Sequence, residues 1–234
     1  MDLTLHEIAR MLDLSAVRAD TNESEVRAMA EAARRYECAC VFALPSFTGL
    51  LVELLGDLPQ VHVGGTVGFP SGGNTTRMKV AEAQELLALG CSELDMVLNI
   101  GMLRSGHDKY VLEDIRAVTE VAGSAPLKVI LECHYLTDDE IRRACLLCIE
   151  GGAAFVKTGT GWAPTGATRH NIALITSVVG DAIGIKAAGG IRDKETLLDL
   201  YWLGARRFGV SLQPALRILG DMAAETAEVA SPGY

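Results

Sequence analysis

Three ionisable side chains interrupt apolar runs that otherwise have the pattern of buried strands. They are Asp95 in Glu-Leu-Asp-Met-Val-Leu-Asn, Lys157 in Phe-Val-Lys-Thr-Gly-Thr-Gly and Lys186 in Ile-Lys-Ala-Ala-Gly-Gly. Burying a charged group is costly unless it is paired or gives up its charge. Because perturbed ionisable groups cluster at functional sites, we take these three as candidate catalytic residues.

The two lysines indicate nucleophilic attack on a carbonyl carbon. On neighbouring strands about 4.8 Å apart, their ammonium groups would lie roughly 5 to 10 Å from each other and repel. Burial and like charge then lower a lysine pKa from about 10.4 toward neutrality, and the neutral amine can form a Schiff base. The alternative is that Lys157 with Asp95, or Lys186 with Asp13, forms only a buried ion pair that fixes strand register.

Short apolar runs alternate with amphipathic helical stretches along the chain, which is typical of right-handed β-α-β units and a parallel sheet. The predicted strands are Ala39–Leu44, Val61–Val67, Ser92–Asn99, Leu127–Cys133, Ala153–Thr158, Ile183–Ala187 and Arg206–Ser211, with Met11–Leu14 as a weak eighth strand after a short opening helix. The predicted helices are Glu23–Tyr36, Thr75–Leu89, Lys109–Val121, Asp138–Ile149, Arg169–Val179 and Lys194–Leu203.

Eight such strands favour a closed (β/α)8 barrel, or TIM barrel, whose reactive side chains stand at the carboxyl ends of the strands. An open doubly wound sheet is the alternative, but no Gly-x-Gly-x-x-Gly opens a helix. The 234 residues contain no linker or shift in composition, so we expect one domain over residues 1–234. The small, polar segment 224–234 is expected to be a mobile tail, and its terminal Tyr234 could reach the barrel mouth.

Composition excludes several classes of function. A net charge of −9 without a basic cluster argues against a nucleic-acid partner. No signal peptide and no long uncharged run is present, which predicts a cytoplasmic protein without a membrane partner and with reduced cysteines. The Cys145–Cys148 pair has the spacing of an apolar helix face. The scattered histidines form no metal motif, so neither a metal nor another cofactor is expected. The Gly-x-Ser-x-Gly motif of hydrolases is absent, which argues against a hydrolase.

Glycines just beyond the last two strands indicate a phosphate site. Gly189 and Gly190 precede one helix, while Gly209 and Ser211 precede another. Backbone N–H groups at helix N-termini bind anions, and barrels commonly hold phosphate in the loops after strands seven and eight. The glycines could instead only form tight turns. The favoured interpretation is a small phosphorylated substrate.

These motifs resemble the deoxyribose-phosphate aldolase family over nearly the whole chain. The matching segments are Gly68–Pro70 with Thr76, Lys79 and Glu82, then Glu93–Gly101, Leu127–Glu132, Phe155–Gly161, Gly166–Thr168 and Lys186–Arg192. The resemblance implies a class I aldolase that reversibly cleaves 2-deoxy-D-ribose 5-phosphate to acetaldehyde and D-glyceraldehyde 3-phosphate. It implies that Lys157 forms the Schiff base, that Lys186 depresses its pKa and that Asp95 relays protons through water. The substrate- and phosphate-binding residues that it implies are Asp13, Ser15, Thr160, Gly161, Gly189, Gly190, Gly209 and Ser211.

Some positions depart from the family pattern. Gly159 stands where the family usually has a serine, and Leu212 stands where the phosphate loop usually has a second hydroxyl. Together with Trp162, these departures keep a lysine aldolase for a different aldehyde acceptor open as an alternative. A non-catalytic phosphosugar-binding barrel is a third interpretation, which a second strand lysine disfavours. A homo-oligomer is possible.

Overall fold

Eight short parallel strands form the centre of a computed structural model that describes residues 3–220. The strands are β1 (Leu12–Ala16), β2 (Cys40–Ala43), β3 (His62–Val67), β4 (Glu93–Val97), β5 (Leu127–Ile130), β6 (Phe155–Lys157), β7 (Gly184–Ala188) and β8 (Arg207–Val210). Each strand pairs with the next, and β8 pairs with β1, so the sheet closes on itself. The predicted (β/α)8 barrel is confirmed, and the weak strand near Met11–Leu14 is its first strand. The predicted tail over residues 224–234, with Tyr234, lies outside the described residues.

Helices follow the strands and surround the barrel. They are α1 (Leu5–Ala9), α2 (Glu23–Tyr36), α3 (Thr48–Leu55), α4 (Thr76–Leu89), α5 (Ile100–Arg104), α6 (Asp108–Ala122), α7 (Asp138–Glu150), α8 (Arg169–Val179), α9 (Lys194–Trp202) and α10 (Leu212–Ile218). Side-chain caps explain why several helix starts were predictable: Asn22 and Thr137 each form a capping box with the glutamate three residues later. The sequence did not reveal α3, because a short apolar run has no period that separates helix from strand.

Five of the eight predicted strands, those for β2, β4, β5, β6 and β8, were too long at their carboxyl ends, and β5 shows why. Apolar residues continue past Ile130, but Glu132 adopts a left-handed conformation with φ 55° that ends the extended chain. The amide of Leu131 still donates to the carbonyl of Lys157, so the segment stays attached to the sheet. Apolarity therefore marks burial here, whereas the backbone turn determines where the strand ends.

The apolar core lies between the sheet and the helices, and the barrel interior is charged. Leu14, Val41, Val129 and Phe208 are among the strand residues that belong to one continuous apolar cluster. All six cysteines of the sequence are buried and unpaired, including the pair on α7 that was predicted to pack in the core. Between residues 3 and 220, no helix is long and apolar enough to cross a bilayer.

Candidate active site

The three predicted catalytic residues meet inside the barrel near the carboxyl ends of the strands. Lys157 on β6 and Lys186 on β7 are paired in register. Both ammonium groups donate to the same oxygen, Oδ2 of Asp95 on β4, at 2.7 Å from Lys157 and 2.6 Å from Lys186. Asp95 is fully buried, and the two lysines are 8% and 1% exposed. The carboxylate therefore stands between two lysines that were expected to face each other directly.

A third lysine, which the sequence analysis did not single out, belongs to the same cluster. Lys128 on β5 is fully buried and lies 3.2 Å from Oδ1 of Asp95 and 3.7 Å from Oδ2 of Asp13. It also donates to Glu93. Like Lys157, it interrupts an apolar strand, so the same criterion could have identified it.

Asp13 and Arg207 connect this cluster to the first and last strands. Asp13 Oδ2 lies 2.6 Å from Lys186 Nζ, and its Oδ1 accepts from Arg207 Nε at 2.8 Å. Arg207 also donates to Glu93 Oε2 at 2.9 Å. Asp13 on β1 thus contacts both Lys186 on β7 and Arg207 on β8.

The charge balance of the cluster selects Lys157 as the neutral amine. Four basic side chains, Lys128, Lys157, Lys186 and Arg207, face three carboxylates, Asp13, Glu93 and Asp95. The cluster is therefore neutral when one basic group has lost its proton. Within the described residues Lys157 pairs only with Asp95, whereas Lys128 contacts all three carboxylates. Deprotonation consequently costs least at Lys157.

The pKa of Lys157 agrees with this selection. The pKa is lowered to about 8: burial lowers it most, the Asp95 carboxylate partly opposes burial, and the positive charge of Lys186 contributes a further lowering. Both causes expected from the sequence are present, and burial is the larger. For Lys128, burial is outweighed by Asp95 and Asp13, which raise its pKa above the ordinary value.

The two aspartates are held in their ionised forms. Burial alone would raise the pKa of Asp95, but Lys128, Lys157 and Lys186 outweigh it and keep that pKa well below its usual range. The same competition, with Lys186, Lys128 and Arg207 as the cations, leaves the pKa of Asp13 at about 2. At neutral pH both aspartates are therefore carboxylates that accept hydrogen bonds from these cations.

A cavity of about 740 Å³ opens above the lysines. All the predicted site residues except Asp95 line it, namely Asp13, Ser15, Lys157, Thr160, Gly161, Lys186, Gly189, Gly190, Gly209 and Ser211. Asp95 is fully buried and contacts the lysines from within the cluster. Gly161, Gly189 and Gly190 have φ values of 86°, 90° and 94°, a region that side chains disfavour, so these loops require glycine.

Thr160 lines the cavity but uses its polar atoms within the protein. Its hydroxyl donates to Glu132 and accepts from the Trp162 amide at 3.0 Å, while its own amide points at the Glu132 carboxylate, 3.2 Å from Oε1. Burial raises the pKa of Glu132. The threonine therefore shapes the loop after β6, and its hydroxyl is not available to a ligand in this arrangement.

Two loops meet at the cavity mouth through Trp162. Its indole Nε1 donates to the carbonyl of Val17 at 2.9 Å, and its ring stands edge-on to Phe69 with centroids 6.0 Å apart. Arg18 and Arg192 also line this part of the cavity. Arg192 thus adds positive charge beside the aromatic edge, whereas the Arg18 guanidinium is paired with Asp20.

One group of side chains has the spacing of metal ligands, but its surroundings do not suit a metal. Asp13, Cys40 and Glu93 bring one ligand atom each within 4.8 Å of the others. Both carboxylates already contact Lys128 and Arg207, and burial raises the pKa of the Cys40 thiol well above its usual value. A cation would have to compete with these fixed charges and bind a protonated sulfur.

Comparisons with known proteins show that this chain is similar to aldolases in sequence and in fold. A family model described as DeoC/LacD family aldolase matches residues 9–201. A deoxyribose-phosphate aldolase of Klebsiella pneumoniae is 49% identical over 224 residues, which cover 95% of this chain and 90% of that relative. A deoxyribose-phosphate aldolase of Sinorhizobium medicae is 48% identical, with coverage of 95% and 90%. The tetrameric deoxyribose phosphate aldolase of Aeropyrum pernix superposes with a TM-score of 0.86 at 26% identity, covering 94% of this chain and 92% of that chain.

Proposed function

Because the chain belongs to the DeoC/LacD family of aldolases, we infer that it reversibly cleaves 2-deoxy-D-ribose 5-phosphate into acetaldehyde and D-glyceraldehyde 3-phosphate. The observation that carries this proposal is the Lys157 amine. It is buried, its pKa is lowered to about 8, and it lines a cavity large enough for a phosphosugar. A lysine with these properties is suited to Schiff-base formation with an aldehyde.

Cleavage begins when the Lys157 lone pair attacks C1 of the open-chain sugar. The carbonyl oxygen takes up a proton, and loss of water leaves an iminium ion. A base then removes the proton of the C3 hydroxyl, the C2–C3 bond breaks, and its electron pair moves into the iminium to form an enamine while glyceraldehyde 3-phosphate departs. Protonation of the enamine at C2 and hydrolysis release acetaldehyde and restore the amine.

Asp95 and Lys186 are the groups that we assign to proton movement and charge. Asp95 Oδ2 lies 2.7 Å from Lys157 Nζ, so it can accept protons from the amine and pass them on through water. Lys186, at 2.6 Å from the same oxygen, keeps a positive charge beside the amine and favours its neutral form. Asp13, Lys128 and Arg207 hold these groups in place.

The phosphate is proposed to bind at the cavity mouth. Gly189 and Gly190 expose backbone there, Ser211 supplies a hydroxyl, and Arg192 supplies positive charge. Ser15 lines the same cavity and donates to the Val210 carbonyl at 3.3 Å.

Removing the phosphate from the substrate is expected to lower kcat/KM at least about 100-fold, because charge-assisted hydrogen bonds contribute roughly 1.5–3 kcal/mol each. The measurement compares acetaldehyde release from 2-deoxyribose 5-phosphate and from 2-deoxyribose. Equal values would contradict the assigned phosphate site and favour an aldolase for an unphosphorylated acceptor. No release from either would contradict the proposed cleavage itself.

Matched variants locate the phosphate subsite. Ser211→Ala should raise KM for the phosphorylated sugar and leave KM for 2-deoxyribose unchanged. Leu212→Ser supplies the second hydroxyl that the family resemblance implies, and it should lower KM for the phosphorylated sugar roughly tenfold or more, the effect of one hydrogen bond to a charged group. If both substrates respond alike, these positions do not contact the phosphate.

Lys186→Leu is expected to move the rising limb of the kcat/KM profile to higher pH. The wild-type limb should lie near pH 8, because the amine reacts only after it loses its proton. Removing the Lys186 charge favours the Lys157 ammonium, so its pKa rises and the limb follows. A shift of about one unit lowers activity near neutrality roughly tenfold.

The contrary outcome is a purely structural role for Lys186. In that case Lys186→Leu would lower the melting temperature, since it leaves Asp13 and Asp95 with fewer cations, but the folded enzyme would keep its pH profile. Lys186→Arg provides the conservative control, because it keeps the charge and should restore most of the original profile.

We also propose that the enzyme is cytoplasmic and that it forms a homo-oligomer. The buried, unpaired state of all six cysteines suits the reducing cytoplasm. The Aeropyrum pernix relative is tetrameric, which supports a homo-oligomer. Exposed Trp202 and Leu146 offer apolar surface to another subunit.

A further inference from the structure

We propose that Phe42 limits the size of the carbonyl compound that Lys157 accepts as the donor, so that it acts as a specificity-determining residue. This inference rests on the proposed aldolase function. It concerns the two-carbon side of the reaction, which becomes acetaldehyde, and leaves the phosphorylated side unaffected.

The Phe42 ring is an apolar wall beside the lysine cluster. Its centroid lies 4.2 Å from Lys186 Nζ, 4.9 Å from Lys128 Nζ and 5.8 Å from Lys157 Nζ. The side chain lines the cavity although the residue is only 2% exposed. A molecule that forms an imine with Lys157 therefore places its first carbons next to this ring.

The ring is held from two sides. On β3, Gly64 is the register partner of Phe42, and a Cβ built at Gly64 would come within 2.2 Å of a ring carbon. The ring thus occupies the space that a side chain on the neighbouring strand would take. On the other side, the ammonium groups of Lys128 and Lys186 attract the ring by cation–π interactions. A wall fixed in this way cannot easily yield to a larger substrate.

The distance from Lys157 to the ring limits what fits between them. A carbon bonded to Nζ and directed at the ring would stand roughly 4.3 Å from the centroid, given the 5.8 Å separation and a C–N bond of about 1.45 Å. Carbon atoms in contact are about 3.5–4.0 Å apart, so no further carbon can lie between that atom and the ring. The arrangement accepts acetaldehyde and disfavours a donor with an additional carbon on this side.

A competition experiment tests the proposal. The enzyme is mixed with equal concentrations of acetaldehyde and propanal, imines are reduced with borohydride, and the ratio of propyl to ethyl adducts on Lys157 is read by mass spectrometry. Because both adducts form on the same folded molecules, their ratio does not depend on how much of each variant is folded. Phe42→Val should raise it about tenfold or more, the selectivity that one methylene can provide in an apolar pocket. Phe42→Leu, which disturbs the packing less, should raise it by a smaller factor.

Phe155→Val is the matched control. Phe155 also fills the space beside a strand glycine, because a Cβ at Gly184 would come within 2.3 Å of its ring, but it does not line the cavity. An increased ratio in the Phe42 variants alone supports the proposal. An unchanged ratio in both Phe42 variants, or an equal increase in Phe155→Val, overturns it. If the wild-type enzyme forms no ethyl adduct, the proposed aldolase function fails instead.

Discussion

Lys157→Ala is expected to lower kcat on the order of 10⁴-fold or more, because Lys186, which also lines the cavity, is paired with both Asp13 and Asp95 and does not replace the covalent step. Wild-type protein treated with acetaldehyde and borohydride should gain one ethyl group, mapped to the peptide that contains Lys157. The variant should gain none at this site. Its fold should persist, since Asp95 keeps Lys128 and Lys186 as partners after the change.

Two further variants make this result specific. Lys109→Ala removes an exposed lysine outside the cavity and should leave both trapping and turnover unchanged. Lys157→Arg keeps a positive charge next to the Asp95 carboxylate but offers no nucleophile, so the variant should fold and be inactive. An ethyl adduct mapped to Lys186 in the wild-type protein would contradict the assignment of the nucleophile.

The lysines that we propose as catalytic could be picked out from the sequence because they interrupt the apolar pattern around them. Lys157, Lys186 and Asp95 are charged residues in runs that are otherwise apolar, and the register of parallel strands brings such residues to one level of a barrel. The loops that we propose to bind phosphate could be picked out for a related reason. Gly189 and Gly190 need a backbone conformation that other residues disfavour, and that requirement is visible in the sequence.

The surroundings of the lysines were harder to predict, because they depend on contacts between distant strands. Arg207 is 194 positions away from Asp13, and no local pattern indicates that they pair. Phe42 is one apolar residue in an apolar strand, so nothing in the sequence separates it from core residues such as Val41. Only the closed barrel shows that its ring faces three ammonium groups.

The relative strength of burial and like charge on the pKa of Lys157 also depends on the three-dimensional structure. The sequence predicts that burial and like charge both lower the pKa of Lys157, but it does not show Asp95 between the lysines. In the structure that carboxylate opposes both effects, and the pKa settles at about 8. The charge of Lys186 therefore adjusts an amine whose neutral form is favoured mainly by burial.

Asp95→Asn should combine a large loss of activity with a large loss of stability. The carboxylate contacts Lys128, Lys157 and Lys186 in a fully buried position, and removing one partner of a buried ion pair costs roughly 3–5 kcal/mol. Loss of the proton relay should lower kcat roughly 10²- to 10⁴-fold. Denaturant unfolding measures the first effect, and the rate of acetaldehyde release from 2-deoxyribose 5-phosphate measures the second.

The pH profile of Asp95→Asn should shift in a defined direction. Asp95 stabilises the ammonium form of Lys157, so its replacement by a neutral amide should lower the Lys157 pKa below 8. The rising limb of kcat/KM should consequently move to lower pH by about one unit or more, the effect of an opposite charge at this distance. Lys186→Leu should move the same limb to higher pH, and these opposite shifts distinguish an electrostatic cluster from a general disturbance of the site.

Asp114→Asn separates the proposed catalytic role of Asp95 from a structural one. Asp114 is also fully buried and lies 2.6 Å from a buried lysine, Lys79, but this pair packs between α4 and α6 away from the cavity. Its loss should lower stability by a comparable amount while the pH limb stays near 8. If Asp95→Asn behaves in the same way, with reduced stability and an unmoved limb, then Asp95 holds the barrel together without controlling the amine. If the limb moves down only for Asp95→Asn, the carboxylate sets the protonation of Lys157 directly, because the two variants differ in whether the lost charge touches the nucleophile.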